Sequence, residues 1–136
     1  MNKCVIIIDG GQPLGVCANI AAVLGASLGK RLPEAIGADT ADGDGGLHTG
    51  IIKIPIPILK GEPKLLREIL ATVSQPEYKE IFAVDFTELA QSCRSYPEYT
   101  EKISCVHESE LKYMGVALYG SKRLIEKIMV NLPLLR

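Results

Sequence analysis

Five apolar residues in a row, Cys4 to Ile8, follow Lys3 and end at Asp9. The run does not alternate, so it predicts a strand, Lys3 to Asp9, buried on both faces of a sheet that helices cover on both sides. A Gly10-Gly11 turn leads to Pro13, a favourable first helical residue because its missing N–H costs nothing there. From Pro13 to Gly29, residues Val16, Ile20, Val23, Leu24 and Leu28 recur at helical spacing, and Gly29 is the expected end of the helix. Gly15, Ala18, Ala22 and Gly25 form a second stripe of small side chains. Such a stripe lets another backbone approach closely, either the sheet or a partner subunit.

Lys30 to Gly50 has no clear periodicity and reads as the longest irregular stretch. Ile51 to Ile54 predicts a second strand. Pro55 and Pro57 cannot donate ladder hydrogen bonds, which places that strand at a sheet edge or ends it early. Gly61-Glu62-Pro63 opens a second helix with a buried stripe of Leu65, Leu66, Ile69, Leu70 and Val73, ended by Gln75-Pro76. Ile81 to Val84 predicts a third strand closed by Asp85, then one or two helical turns over Phe86 to Cys93. Ser95 to Val106 reads as irregular. Tyr113 to Tyr119 predicts a fourth strand. Gly120-Ser121 then caps a last helix with Leu124, Ile125, Ile128 and Met129 inward. The alternation of strand and helix argues for an α/β protein with three layers, α/β/α.

The chain has 136 residues, of which 47% are hydrophobic, enough for one domain spanning 1–136 with an ordinary core. The cysteines Cys4, Cys17, Cys93 and Cys105 never fall as C-x-x-C, and the first two lie in apolar segments, as buried reduced thiols of a cytoplasmic protein do. The chain enters a strand almost at once, so no signal peptide is expected. No apolar run approaches the ~20 residues needed to span a bilayer. Fifteen basic against sixteen acidic residues give a net charge of −1. That balance argues against a nucleic-acid partner, which calls for a basic face.

Candidate chemistry follows from where polar residues interrupt this pattern. Asp9 and Asp85 each follow an apolar strand, and in open α/β sheets ligands bind beyond the carboxyl ends of parallel strands. Two such strands running parallel would bring both carboxylates to one rim. The alternative is that each aspartate caps its own turn. The turn Gly10 to Gly15 has G-x-x-x-x-G spacing, but Val16-Cys17 stand where a phosphate loop needs Lys and Ser/Thr. Asp39, Asp42, Asp44 and His48 offer hard oxygens and an imidazole in one loop. They miss the calcium-loop pattern, and Asp-Gly pairs are also ordinary turn chemistry, so no metal or cofactor is assigned. Lys122 and Arg123 open the last helix, where they either attend an anion or extend into solvent. Nothing in the spacing of Cys17 with His48 or His107 makes a nucleophile pair.

Several of these pieces recur together in a known group. Lys3 to Asp9, Leu14-Gly15-x-x-Ala18-Asn19, Asp42-Gly-Asp44-Gly, the prolines after Lys53, Asp85-Phe86-Thr87, Tyr96-x-Glu98-Tyr99 and the stretch Tyr113 to Lys122 resemble, in that order, the uncharacterised bacterial "domain of unknown function" family number two thousand. That family is placed with the peptidyl-tRNA hydrolase II-like fold. The resemblance implies a four-stranded mixed sheet between helices, the last strand antiparallel to the others, and a homodimer. It does not carry the hydrolase chemistry over intact. Aligning the hydrolases' Ala-Ala-Gln run with Cys17-Ala18-Asn19 puts their catalytic lysine at Gly15, and their catalytic threonine falls near Lys112. Only Asp85 matches.

The expected function is therefore binding of a small polar or anionic ligand, with activity unassigned, at a rim of Asp9, Gln12, Asn19, Asp42, Asp44, His48, Asp85 and Thr87. Two alternatives remain open. One is an esterase acting on peptidyl- or aminoacyl-tRNA, with Asp85 orienting water and Lys122 replacing the lost lysine. The other is an interaction or dimerisation module that uses the small-residue face of the first helix without catalysis.

Overall fold

The computed structural model describes residues 1–129 and 131–136. Four strands form a mixed sheet: β1 (Asn2–Asp9), β4 (Ile58–Gly61), β5 (Phe82–Thr87) and β6 (Tyr113–Ser121), in the order β4-β1-β6-β5. β4 runs parallel to β1, whereas β6 is antiparallel to both β1 and β5. β1 and β6 fill the centre, which explains their unbroken apolar runs: Val5, Ile7, Ile8, Val116, Ala117 and Leu118 have no accessible surface.

Alternation along the strands divides the core in two. Val5, Ile7, Val116 and Leu118 face helices α2 (Pro63–Val73) and α5 (Lys122–Ile128), meeting Leu66, Ile69, Leu124 and Ile125. Cys4, Ile6, Ile8 and Ala117 face helix α1 (Leu14–Arg31), meeting Cys17, Ile20, Leu24 and Leu28. The layering expected from the sequence is present. α1 comes close to β6 because Gly115 has no side chain; a Cβ there would lie 2.5 Å from Ile20 Cγ2.

Several boundaries differ from the expectations. α1 continues through Gly29 to Arg31 and closes at Leu32, whose N–H bonds the Leu28 carbonyl. Val23 is exposed and Cys17 takes its place in the buried stripe. Ile51 to Ile54 is not a sheet strand: Ile52 makes one isolated bridge to Ile36. The strand begins at Ile58, after both prolines, and lies towards the sheet edge as they require. The segment Pro133 to Leu135 covers the outer side of β4, through bonds from Lys60 N–H to Pro133 O and from Leu135 N–H to Ile58 O.

Residues 36–53 fold back on themselves as a two-stranded arm. Its rungs are Lys53 N–H to Ala35 O and Gly37 N–H to Ile51 O at the base, and β2 (Thr40–Ala41) paired with β3 (Leu47–His48) further out. Every residue from 38 to 49 is exposed.

The stretch Ser95 to Val106, expected to be irregular, contains helix α4 (Tyr96–Ser104), joined to the predicted short helix α3 (Glu88–Ser92). Ser95 Oγ accepts from Glu98 N–H at 3.3 Å, and Pro97 sits in the first turn. This Ser-x-x-Glu start is a helix N-terminus signature. Among the described residues, no helix is long and apolar enough to cross a membrane.

Candidate ligand-binding cleft

Asp85 is not a strand tip. β5 continues to Thr87, so Asp85 lies within the strand, opposite Val116. β5 is the uncovered edge of the sheet, and a cleft opens on each of its faces with Asp85 in the wall of both. One cleft, about 590 Å³, lies toward the end of α2 and is bounded by Arg31, Lys79, Glu80 and Tyr113. The other, about 560 Å³, lies between α1 and the α3–α4 corner. Its floor is apolar, from Leu24, Val84 and Phe86, and its rim is polar, from Asn19, Ser27, Gln91, Arg94 and Tyr99. A mostly apolar floor with a few convergent polar groups is the arrangement that small-molecule sites use.

Each rim group is held by its element. Asn19 projects from the outward face of α1, one residue before buried Ile20. Arg94 is fixed through its backbone, whose N–H donates to Glu98 Oε2 at 3.0 Å. Glu98 is itself held by Lys102 at 3.1 Å, one helical turn on. The Arg94 guanidinium makes no ion pair or hydrogen bond among the described residues. Tyr96 and Tyr99 pack with ring centroids 5.6 Å apart and planes tilted by 58°.

Asp85 keeps accessible surface, yet protein atoms crowd its carboxylate on the edge strand. That partial loss of solvent raises its pKa above the usual carboxylate range. It has no hydrogen-bond donor or cation as partner among the described residues. Its charge is felt nearby: the Tyr99 phenol is raised by burial first and by Asp85 second. Tyr113 is pushed up to about 12, chiefly by burial and by its hydrogen bond to Glu108. A cleft carboxyl whose pKa is raised by loss of solvent is a functional-site candidate.

The structure brings only Asn19 and Asp85 of the expected rim into one cleft. Asp9 is buried, 6% exposed, and closes its own turn: Oδ1 accepts from Gly11 N–H at 3.0 Å and Oδ2 from Gln12 Nε2 at 2.9 Å. β6 separates β1 from β5, which puts their axes about 10 Å apart, and no cavity among those described is lined by both Asp9 and Asp85. Thr87 is fully buried and lines none of these cavities. Asp42, Asp44 and His48 belong to the arm. There Asp42 Oδ1 accepts from the N–H groups of Asp44 and Gly46, at 2.9 and 3.0 Å, and Oδ2 meets His48 Nε2 at 2.8 Å. Those contacts, His48 first, lower the Asp42 pKa. Asp39 accepts from Gly50 N–H. Cys17 Sγ points at the carbonyls of Asp9 and Gln12, on the inner side of α1.

Lys122 is the clearest correction. β6 runs antiparallel to β1, so its end, Ser121, pairs with Asn2 at the far end of the sheet from Asp9. From Val116, opposite Asp85, to Lys122 is six residues along the strand, or about 20 Å. Lys122 cannot serve a reaction centred on Asp85.

Arg94 and Tyr99 are not among the expected rim residues: Arg94 sits in the α3–α4 corner, and Tyr99 lies in Ser95 to Val106, a stretch without clear apolar periodicity. The Ser95-x-x-Glu98 start was the available signal. It puts Tyr96 and Tyr99 three residues apart on one helical face.

A solved structure of a protein of unknown function from Agrobacterium tumefaciens is similar to this chain, with a TM-score of 0.86 at 20% identity, covering 98% of this chain and 96% of that one. At that identity the likeness establishes the fold alone. No curated protein gives a significant match. The sequence matches the family described as "Protein of unknown function (DUF2000)" over residues 2–136, nearly its whole length, and the chain belongs to that family.

Proposed function

We propose that this chain binds a small polar or anionic molecule in the cleft between α1 and the α3–α4 corner. The observation that carries the reading is that one cleft is lined by both Arg94 and Asp85, whose charged groups have no partner among the described residues. Arg94 supplies the charge for a carboxylate or phosphate. Asp85 and Asn19 supply directional hydrogen bonds, and Leu24 and Phe86 supply apolar contact beneath. The free cysteines fit the cytosolic setting expected from the sequence.

A thermal-shift screen against small carboxylates and phosphates tests this. A ligand at about 100 times its Kd stabilises the folded state by about 2.7 kcal/mol. The shift should shrink in both Arg94→Gln and Asp85→Asn. A panel with no stabilising compound, or a shift that survives both substitutions, removes the reading.

A second reading, self-association, rests on a different observation. α1 carries no charged residue from Leu14 to Gly29, yet Leu14 is 85% exposed. The arm adds Leu47 and Ile51, 77% and 80% exposed. Where such residues form one contiguous patch they mark an interface. Light scattering on the intact chain should give twice the monomer mass, falling to the monomer mass in Ala22→Glu. A wild-type monomer at high concentration refutes it.

A further inference from the structure

The prolines after Lys53 create a feature that the β5 cleft does not use. β4 pairs with β1 only from Ile6 onward, where Ile6 N–H donates to Pro57 O, and residues 54–56 add no rung to the first half of β1, Pro55 and Pro57 having no N–H to offer it. A groove of about 660 Å³ opens between that segment, the start of β1 and α5. Its lining is predominantly apolar, from Cys4 and the run Ile54 to Pro57.

Lys3 and Lys122 stand at its edge. Both reach toward one carboxylate, Glu126, at 3.6 and 3.9 Å. Two ammonium groups share one counter-ion, so the mouth carries an uncompensated positive charge beside an apolar trough. A purely apolar ligand would not use the cations, and an inorganic anion would not use the trough.

We propose that this groove binds a single-chain aliphatic carboxylate, with the chain along Ile54 to Pro57 and the head group between Lys3 and Lys122. It is independent of the β5 cleft, with which it shares no lining residue. The carboxylate displaces Glu126 from one of the lysines. Glu126 therefore competes with the ligand, and this gives the proposal its most specific consequence.

The test is titration of the intact protein with hexanoate, octanoate and decanoate below their micellar range, followed by calorimetry and amide chemical shifts. Affinity should rise about fourfold for each added methylene, since each buried CH₂ contributes about 0.8 kcal/mol. Octanol should bind at least tenfold more weakly than octanoate. Lys3→Gln/Lys122→Gln should weaken octanoate at least tenfold and leave octanol unchanged. Glu126→Gln should tighten octanoate, opposite in sign to the lysine variant and opposite to what general loosening of α5 would give. Asp85→Asn should leave octanoate binding alone, which separates failure here from failure at the other cleft. No binding, equal binding of octanol and octanoate, weaker binding to Glu126→Gln, or shifts mapping away from residues 3, 4, 54 and 56 would overturn the proposal.

Discussion

Thr87→Val offers a sharp test of how the end of β5 is built. Thr87 is 0% exposed, and its Oγ1 has no hydrogen-bond partner among the described residues. Burying a hydroxyl without a partner costs about 1–3 kcal/mol in mutational series. Valine has the same shape, the same stiffness at χ1 and a strong strand preference, so nothing else changes at the site. The variant should therefore be more stable by about 1 kcal/mol or more. For a chain of this size that is a rise in Tm of roughly 3–5 °C. Urea denaturation should show a higher midpoint at unchanged slope. Thr87→Ser keeps the hydroxyl and deletes the methyl group, and should lose about 1 kcal/mol. The two variants thus move in opposite directions. A Thr87→Val protein less stable than wild type would show that the hydroxyl holds a partner, and the account of this site as a tolerated packing defect would fail. Because Thr87 lines none of the described cavities, Thr87→Val should also leave ligand affinity at the β5 cleft unchanged.

Other substitutions probe the rest of the architecture. Asp85 holds its proton more tightly folded than unfolded, so its contribution to stability is complete below the ordinary carboxylate pKa and is lost as pH rises through the raised value. Asp85→Asn should accordingly gain on wild type as pH rises from about 3 to 7; a stability difference that stays flat over that range contradicts the desolvation argument. Gly115→Ala places a Cβ 2.5 Å from Ile20 Cγ2 and 3.1 Å from Leu24 Cδ1, both buried, and should cost about 1–3 kcal/mol in urea titrations. Gly50→Ala is a backbone collision, 1.7 Å from the Gly37 carbonyl oxygen, and must part the base of the arm. Because the arm packs against no core, exchange and proteolysis should accelerate within residues 37–52 while global stability moves by less than about 1 kcal/mol.

Local chemistry determined much of this protein without help from the fold. The uninterrupted run Cys4 to Ile8 pointed to a central strand, because it is short, rich in β-branched residues and apolar on both faces of a strand. Pro63 and the Leu66–Ile69 spacing required α2. The prolines at 55 and 57 required an edge, although they displaced the strand to Ile58 rather than ending it at Ile54. Asp9 capping its own turn was likewise a short-range matter between neighbours in sequence.

The site was a different problem. Whether Asp85 ended a strand or sat within it depended on pairing with Val116 of β6, just over thirty residues on. Whether Lys122 lay near it depended on the direction of β6, which apolar periodicity does not encode, since a strand reads the same in either sense. Arg94 shares a cleft with Asp85 only because the α3–α4 corner follows β5 on the side that faces α1. Composition and spacing set which elements exist; strand order and direction, fixed by contacts between distant segments, set which side chains share a cleft.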